Sequence, residues 1–193
     1  TVGRGHTESL LRAVDEVLGR SGLAPADLDA VAVALGPGRF SGLRVGLATA
    51  KGFAAVTGVA VVPVGTLPAL AESVRPREGL VATLLDARRG EVYGALFRFG
   101  DGRERLLPDT AATPLGMLEL IVREAGDDPV LLAGAGAPLC EAELGSARPD
   151  RARFELLSTA GPGARGIAVL AEEGTPVSSE ELDALEPVYL RGI

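Results

Sequence analysis

The chain has 193 residues, a net charge of −7 and 47% hydrophobic residues, enough to bury a substantial core and too apolar for a disordered chain. Phosphate contacts dominate nucleic-acid affinity, so this acidic balance argues against autonomous DNA or RNA binding. No apolar run reaches the length of a membrane span; a single cysteine, Cys140, and a single histidine, His6, exclude an intramolecular disulfide, argue against a zinc cluster and fit a cytoplasmic location.

In chain order, Leu10, Leu11, Val14, Val17 and Leu18 recur at helical spacing and predict an amphipathic helix over residues 6–19. Residues 31–35 are apolar in both alternating sets, which predicts a buried strand. A glycine-rich turn follows, Gly36-Pro-Gly-Arg-Phe-Ser-Gly42, and then a small-residue helix to about residue 57. Gly36 and Gly38 tolerate positive φ, and Ser41 stands where an N-cap is expected. Unpaired amides at such a helix start favour anions. Neither nucleotide pattern fits, because no Gly-Lys-Ser/Thr follows and Gly36, Gly38 and Gly42 are spaced one residue too widely for G-x-G-x-x-G. The spacing leaves two readings open: a tight structural turn, or a phosphate cradle made by Gly36, Gly38, Ser41 and Gly42. In the helix, Gly46, Ala50 and Ala54 form a row suited to close helix packing. Arg44 and Lys51 fall near another face, as a small positive patch or as solvated charges.

Residues 59–64 predict a second buried strand, and a short helix starts at Thr66. Parallel strands with crossover helices are implied, yet two strands are too few for such a sheet, so further strands are expected ahead of Thr1. Arg75-Pro-Arg-Glu-Gly79 marks a lobe boundary. Beyond it come three hairpin strands (80–85, 91–99, 103–107), then helix 115–125, strand 130–133, helix 137–144, strand 153–157 and helix 164–173. This order describes an RNase H-like lobe. The expected architecture is α/β, two RNase H-like lobes of the actin-like ATPase superfamily. Residues 1–75 form the first lobe, without its N-terminal strands, and 76–193 form the second with a C-terminal helix and tail.

Catalytic constellations are scarce. Asp86 and Glu91 flank a hairpin turn with no nucleophile beside them. Ser41 lacks both a neighbouring histidine and a G-x-S-x-G context. Gly134-Ala-Gly136 is a turn that faces a cleft or only closes a strand onto a helix. His6, alone, reads as a cap or an interface group.

Six segments in order carry a resemblance: His6-Thr-Glu-Ser-Leu-Leu11, Asp27-Leu-Asp-Ala-Val-Ala-Val33, Gly36-Pro-Gly-Arg-Phe-Ser-Gly-Leu-Arg-Val-Gly46, Ala50-Lys-Gly52, Asp86-Ala-Arg-Arg-Gly-Glu-Val-Tyr93 and Pro187-Val-Tyr-Leu-Arg191. Together they resemble the TsaB (YeaZ) family over almost the whole chain. The resemblance implies a non-catalytic subunit of the bacterial machinery that makes N6-threonylcarbamoyladenosine in tRNA. Such a subunit pairs with the transferase TsaD, is joined by the ATPase TsaE and can form homodimers. It implies no catalytic residue, no metal and no required cofactor, with weak nucleotide binding left open at a lobe or subunit interface. TsaD carries two histidines four apart on the helix that aligns with residues 66–70; Thr66 and Leu70 stand in their place here, and leucine has no donor atom. The implied contact surface is the pair of first-lobe helices, through Leu10, Leu11, Val14, Leu18, Arg44 and Lys51. The alternatives are an ATP-dependent small-molecule kinase of the same superfamily and a homodimeric binding module. On the partner reading, the glycine-rich turn is a hinge that sets a partner-facing helix on its sheet.

Overall fold

A computed structural model describes residues 4–144, 153–157 and 161–190. Helix α1 (Arg4–Ser21) leads through a 3-10 turn at Pro25–Asp27 into strand β1 (Ala30–Gly36). Helix α2 (Phe40–Thr57) then crosses over to strand β2 (Ala60–Gly65), which pairs with β1 in parallel from Ala30↔Ala60 to Ala34↔Val64. Gly58, at φ 76°, closes α2 through a bond from its N–H to the Ala54 carbonyl. Leu47, Ala50 and Ala54 of α2 pack on Val33, Val59 and Val61. Ala50 and Ala54 of the small-residue row therefore serve helix-on-sheet packing, while Gly46 has open space around it.

Helix α3 (Thr66–Ser73) follows directly, and every residue from Thr66 to Glu72 is buried. Strands β3 (Gly79–Arg88), β4 (Glu91–Phe99) and β5 (Arg103–Ala112) form an antiparallel meander. Helix α4 (Pro114–Ala125), strand β6 (Val130–Ala133), helix α5 (Ala137–Glu143) and strand β7 (Phe154–Leu157) complete a five-stranded sheet of order β5-β4-β3-β6-β7, in which β6 and β7 run parallel to β3. Period-two burial explains its two faces. Leu80, Ala82 and Leu84 point into a core with Met117, Leu118, Ile121 and Cys140 of α4 and α5. Val81, with Ala95 and Phe97 of β4, meets Leu67 and Ala71 of α3. Burying each such leucine stabilises the fold by about 1.5–3 kcal/mol before entropy costs.

Two strand limits differ from expectation by more than one residue. The β3–β4 turn is shorter than residues 86–90, because β3 continues to Arg88 and the reversal uses Arg88, Arg89 and Gly90 at φ 63°, 55° and 79°. Strand β5 runs past Leu107 to Ala112, because it is an edge strand and its free side tolerates Pro108.

The remaining elements return to β1 and β2. Helix α6 (Ala164–Glu173) packs on α3 and brings Leu170 against Val62, Val64 and Ala69. It comes so close that a Cβ on Gly166 would run into the Ala69 carbonyl and the Ser73 hydroxyl. Val177 bridges Val61, and helix α7 (Ser179–Ala184), which the apolar pattern does not predict, starts in a Ser178–Glu181 capping box. Residues 164–190 pack on β1, β2, α2 and α3, and Glu173 also reaches Arg103 of β5.

Candidate functional site

The glycine-rich turn is built by strand β1 ending one residue before Pro37 and by α2 beginning at Phe40. Arg39 is the N-cap, extended at φ −66° and ψ 123°, with no side-chain bond, and its carbonyl already accepts from the Leu43 N–H. Ser41 is therefore not the cap: the turn uses fewer residues than expected, so Ser41 lies exposed inside the first helical turn. The four cradle candidates do not face one hollow. Gly36, at φ 134°, faces the C-terminal segment, and a Cβ there would lie 2.5 Å from the Val188 carbonyl oxygen. Gly38 faces the Leu43 side chain, while Ser41 and Gly42 are exposed.

The C-terminal segment occupies this end of the molecule. The Val188 N–H donates to the Leu35 carbonyl at 2.8 Å. The Tyr189 ring lies 5.3 Å from that of Phe40, and its hydroxyl accepts from Arg44 Nε at 3.1 Å. The Arg44 guanidinium sits 3.9 Å above the Phe40 ring. Lys51 Nζ donates to the Asp183 carbonyl at 2.9 Å. Arg44 is thus bonded to Tyr189 of the C-terminal segment and Lys51 to Asp183 of the segment before it. Arg191, the last residue of the sixth sequence segment, lies outside the described residues.

Helix α1 touches α2 and keeps much of its apolar stripe in water. Leu11 is 49% and Val17 60% exposed, Leu10 is also exposed, and Val14 and Leu18 are half-buried. Val56 on α2 is 88% exposed. Isolated surface leucines are ordinary, but α1 leaves three large apolar side chains, Leu10, Leu11 and Val17, in water. The side chain of His6 lies outside the described residues.

Elsewhere the sequence candidates are placed in structural roles. Thr66 and Leu70 are buried on α3, and the Thr66 hydroxyl has no partner among the described residues. Among those residues no three His, Cys, Asp or Glu side chains gather as metal ligands. Asp86 accepts from the Arg88 N–H at 2.7 Å and pairs with its guanidinium at 3.0 Å, so this carboxylate holds the hairpin turn. Gly134 and Gly136 lie against the backbone of Leu84 and Leu85, and the Gly136 N–H donates to the Leu84 carbonyl at 2.9 Å. That stretch is a close-packed joint between β6 and α5. Burial, and secondarily the charge of Glu143, push the Cys140 thiol up to about 12, so it is an inert core group.

One polar cluster was not foreseen. Glu72, 2% exposed, pairs with Arg103, and its second oxygen takes Arg75 Nη1 at 3.3 Å. Arg103 Nη2 reaches Glu173 at 2.8 Å. Burial disfavours the Arg103 charge, but its bonds to Glu173 and Glu72 outweigh that and hold its pKa above the ordinary value. The network joins α3, β5 and α6 beside an open cavity of about 430 Å³ lined by Gly65, Pro68, Phe97, Arg103, Arg105 and Glu173. Arg105 is itself paired with Asp109 at 3.2 Å. With its charges mutually satisfied, the cluster is an interlock between elements. The one signal for it in the sequence is an acidic residue inside an otherwise apolar helix.

Residues 1–125 match the family TsaD, tRNA N6-adenosine threonylcarbamoyltransferase. The chain is 29% identical over 189 residues to the tRNA threonylcarbamoyladenosine biosynthesis protein TsaB of Bacillus subtilis, covering 97% of this chain and 80% of that protein. It is 36% identical over 97 residues to TsaB of Escherichia coli, covering 49% of this chain and 42% of that protein. Among solved structures, a Pseudomonas aeruginosa protein described as similar to peptidase YEAZ superposes with a TM-score of 0.78 at 26% identity, over 97% of this chain and 85% of that one. The α/β fold, the ordered motifs and the match over 1–125 lead to one conclusion: the chain belongs to the TsaD family of tRNA N6-adenosine threonylcarbamoyltransferases, with TsaB and YeaZ proteins among its relatives.

Proposed function

We propose that this chain is a non-catalytic partner subunit of the cytoplasmic bacterial machinery that makes N6-threonylcarbamoyladenosine in tRNA, and that it pairs with a TsaD transferase through α1 and α2. The carrying observation is that α1 leaves Leu10, Leu11 and Val17 exposed, and that Val56 of α2 is exposed as well. Such exposure fits a helix-on-helix interface. The placement of Thr66 and Leu70 at the start of α3 supports a role without metal chemistry. On this reading TsaE joins the assembly, the isolated chain pairs with itself through the same face, and any nucleotide sits weakly at an interface. The two sheets are the cores of two RNase H-like lobes. The order β5-β4-β3-β6-β7 supports the second lobe, and the β1-α2-β2 crossover supports the first, with α6, α7 and the tail belonging to it by contact.

The test is titration calorimetry of the chain against TsaD from the same organism. A 1:1 complex that Leu11→Glu or Val17→Glu abolishes is expected. Absence of a complex, or one indifferent to both substitutions, overturns the reading. Phosphate transfer from Mg-ATP by the isolated chain would point to the kinase alternative.

A further inference from the structure

The glycine-rich turn and the C-terminal segment are two halves of one construction. Gly36 is the residue whose missing side chain admits the Val188 carbonyl, and Val188 is bonded to Leu35 next to it. A carbonyl oxygen occupying this space presents an acceptor to any anion, which disfavours a phosphate cradle at this turn. One turn further on, Tyr189 meets Phe40 and accepts from Arg44 Nε. That bond and the stacking on Phe40 fix the guanidinium plane, and the two Nη nitrogens have no partner among the described residues. Phe40, under the guanidinium, and Val188, next in sequence to Tyr189, are 45% and 47% exposed. A held arginine flanked by aromatic and aliphatic surface is the composition of an energetic centre in protein interfaces. It lies on α2, the helix that α1 touches.

We propose that the C-terminal segment is a clasp, seated in the glycine-rich turn, that holds Arg44 ready for a carboxylate of the protein partner, with an apolar partner side chain against Phe40 and Val188. The inference rests on the docking reading above and adds to it the partner's chemistry. An unclasped Arg44 is free to rotate and must be ordered on binding, which costs affinity. Tyr189 is then a positioning residue and Arg44 the contact residue.

The experiment has two readouts on the full chain, backbone hydrogen exchange over residues 36–47 and affinity for the TsaD transferase. Tyr189→Ala is expected to speed exchange there and to weaken binding about tenfold, with Tyr189→Phe, which keeps the ring and loses the acceptor, in between. Arg44→Lys keeps the charge but not the planar fork, and is expected to lose about tenfold in affinity without changing exchange. Unchanged exchange in Tyr189→Ala overturns the clasp. Faster exchange with unchanged affinity, or full affinity in Arg44→Lys, overturns its role in docking. A wild-type chain that does not bind the transferase overturns the docking reading instead, and exchange then decides the clasp alone.

Discussion

Glu72 is the residue on which the junction of α3, β5 and α6 turns, and removing its charge tests the interlock. Its side chain is 1% exposed, against 21% for Arg103, 33% for Arg75 and 53% for Glu173. Deleting one member of a buried pair costs about 3–5 kcal/mol, chiefly because the other charge is left unpaired. Arg103 keeps Glu173 and some water, so the lower end applies, about 3 kcal/mol for Glu72→Gln. Glu173→Gln removes a half-exposed partner and should cost about 0.5–1 kcal/mol. With an m-value of about 2 kcal/mol/M, Glu72→Gln lowers the urea midpoint by about 1.5 M. The double variant Glu72→Met with Arg103→Met removes both charges and should recover most of that loss, because the desolvation cost vanishes with the pair. A loss under about 0.5 kcal/mol in Glu72→Gln, or a double variant that loses the sum of the singles, refutes the reasoning.

Further outcomes follow from other contacts. Leu11→Glu acts on an exposed side chain and should change stability by less than about 0.5 kcal/mol while abolishing partner binding; a comparable fall in melting temperature would mean that Leu11 is structural. Cys140 keeps its proton in the folded state to about 12, whereas an unfolded thiol ionises near about 8.5. Above that pH the unfolded chain binds fewer protons than the folded one, so stability falls with rising pH by at most about 1.4 kcal/mol per unit, a slope that Cys140→Ala should lack in urea melts at about pH 8 and about pH 10. Parallel behaviour of the two proteins would count against it. Gly166→Ala drives a methyl into the Ala69 carbonyl and should cost about 3 kcal/mol or more by denaturant titration; a neutral result would mean that α6 does not approach α3 so closely. Ser178→Ala removes the α7 cap and should cost about 1 kcal/mol, with faster exchange in 179–184; unchanged exchange there would rule the cap out.

Most elements were legible because their signals are local. Strand 130–133 and helix 164–173 have boundaries that period and glycine placement define. The bounds of helix α7 cannot be read from period because its six residues carry no apolar stripe, although Ser178 and Glu181 spell a capping box. Ser41 has the residue type of a cap, but the backbone at Arg39 sets where the helix begins. The Glu72 network and the engagement of Arg44 and Lys51 were illegible for a different reason. Their partners Arg103, Glu173, Tyr189 and Asp183 lie far along the chain, and side-chain pairing at such separations follows from packing, not from spacing.

The return of the last elements to the first strands bears on how the chain is made. A ribosome delivers β1 and β2 well before α6, Val177 and Val188, which cover and bond them. About 150 residues separate Leu35 from Val188, which is about 8–30 s of translation at about 5–20 residues per second. About 110 residues separate Val62 from Leu170, so for about 5–22 s of translation the nascent chain presents Val62 and Val64 without their final cover, while the β3–β7 sheet can already form from contiguous sequence. The five-stranded sheet should therefore be protease-resistant on stalled ribosomes before the β1–β2 pair is, although it is synthesised second.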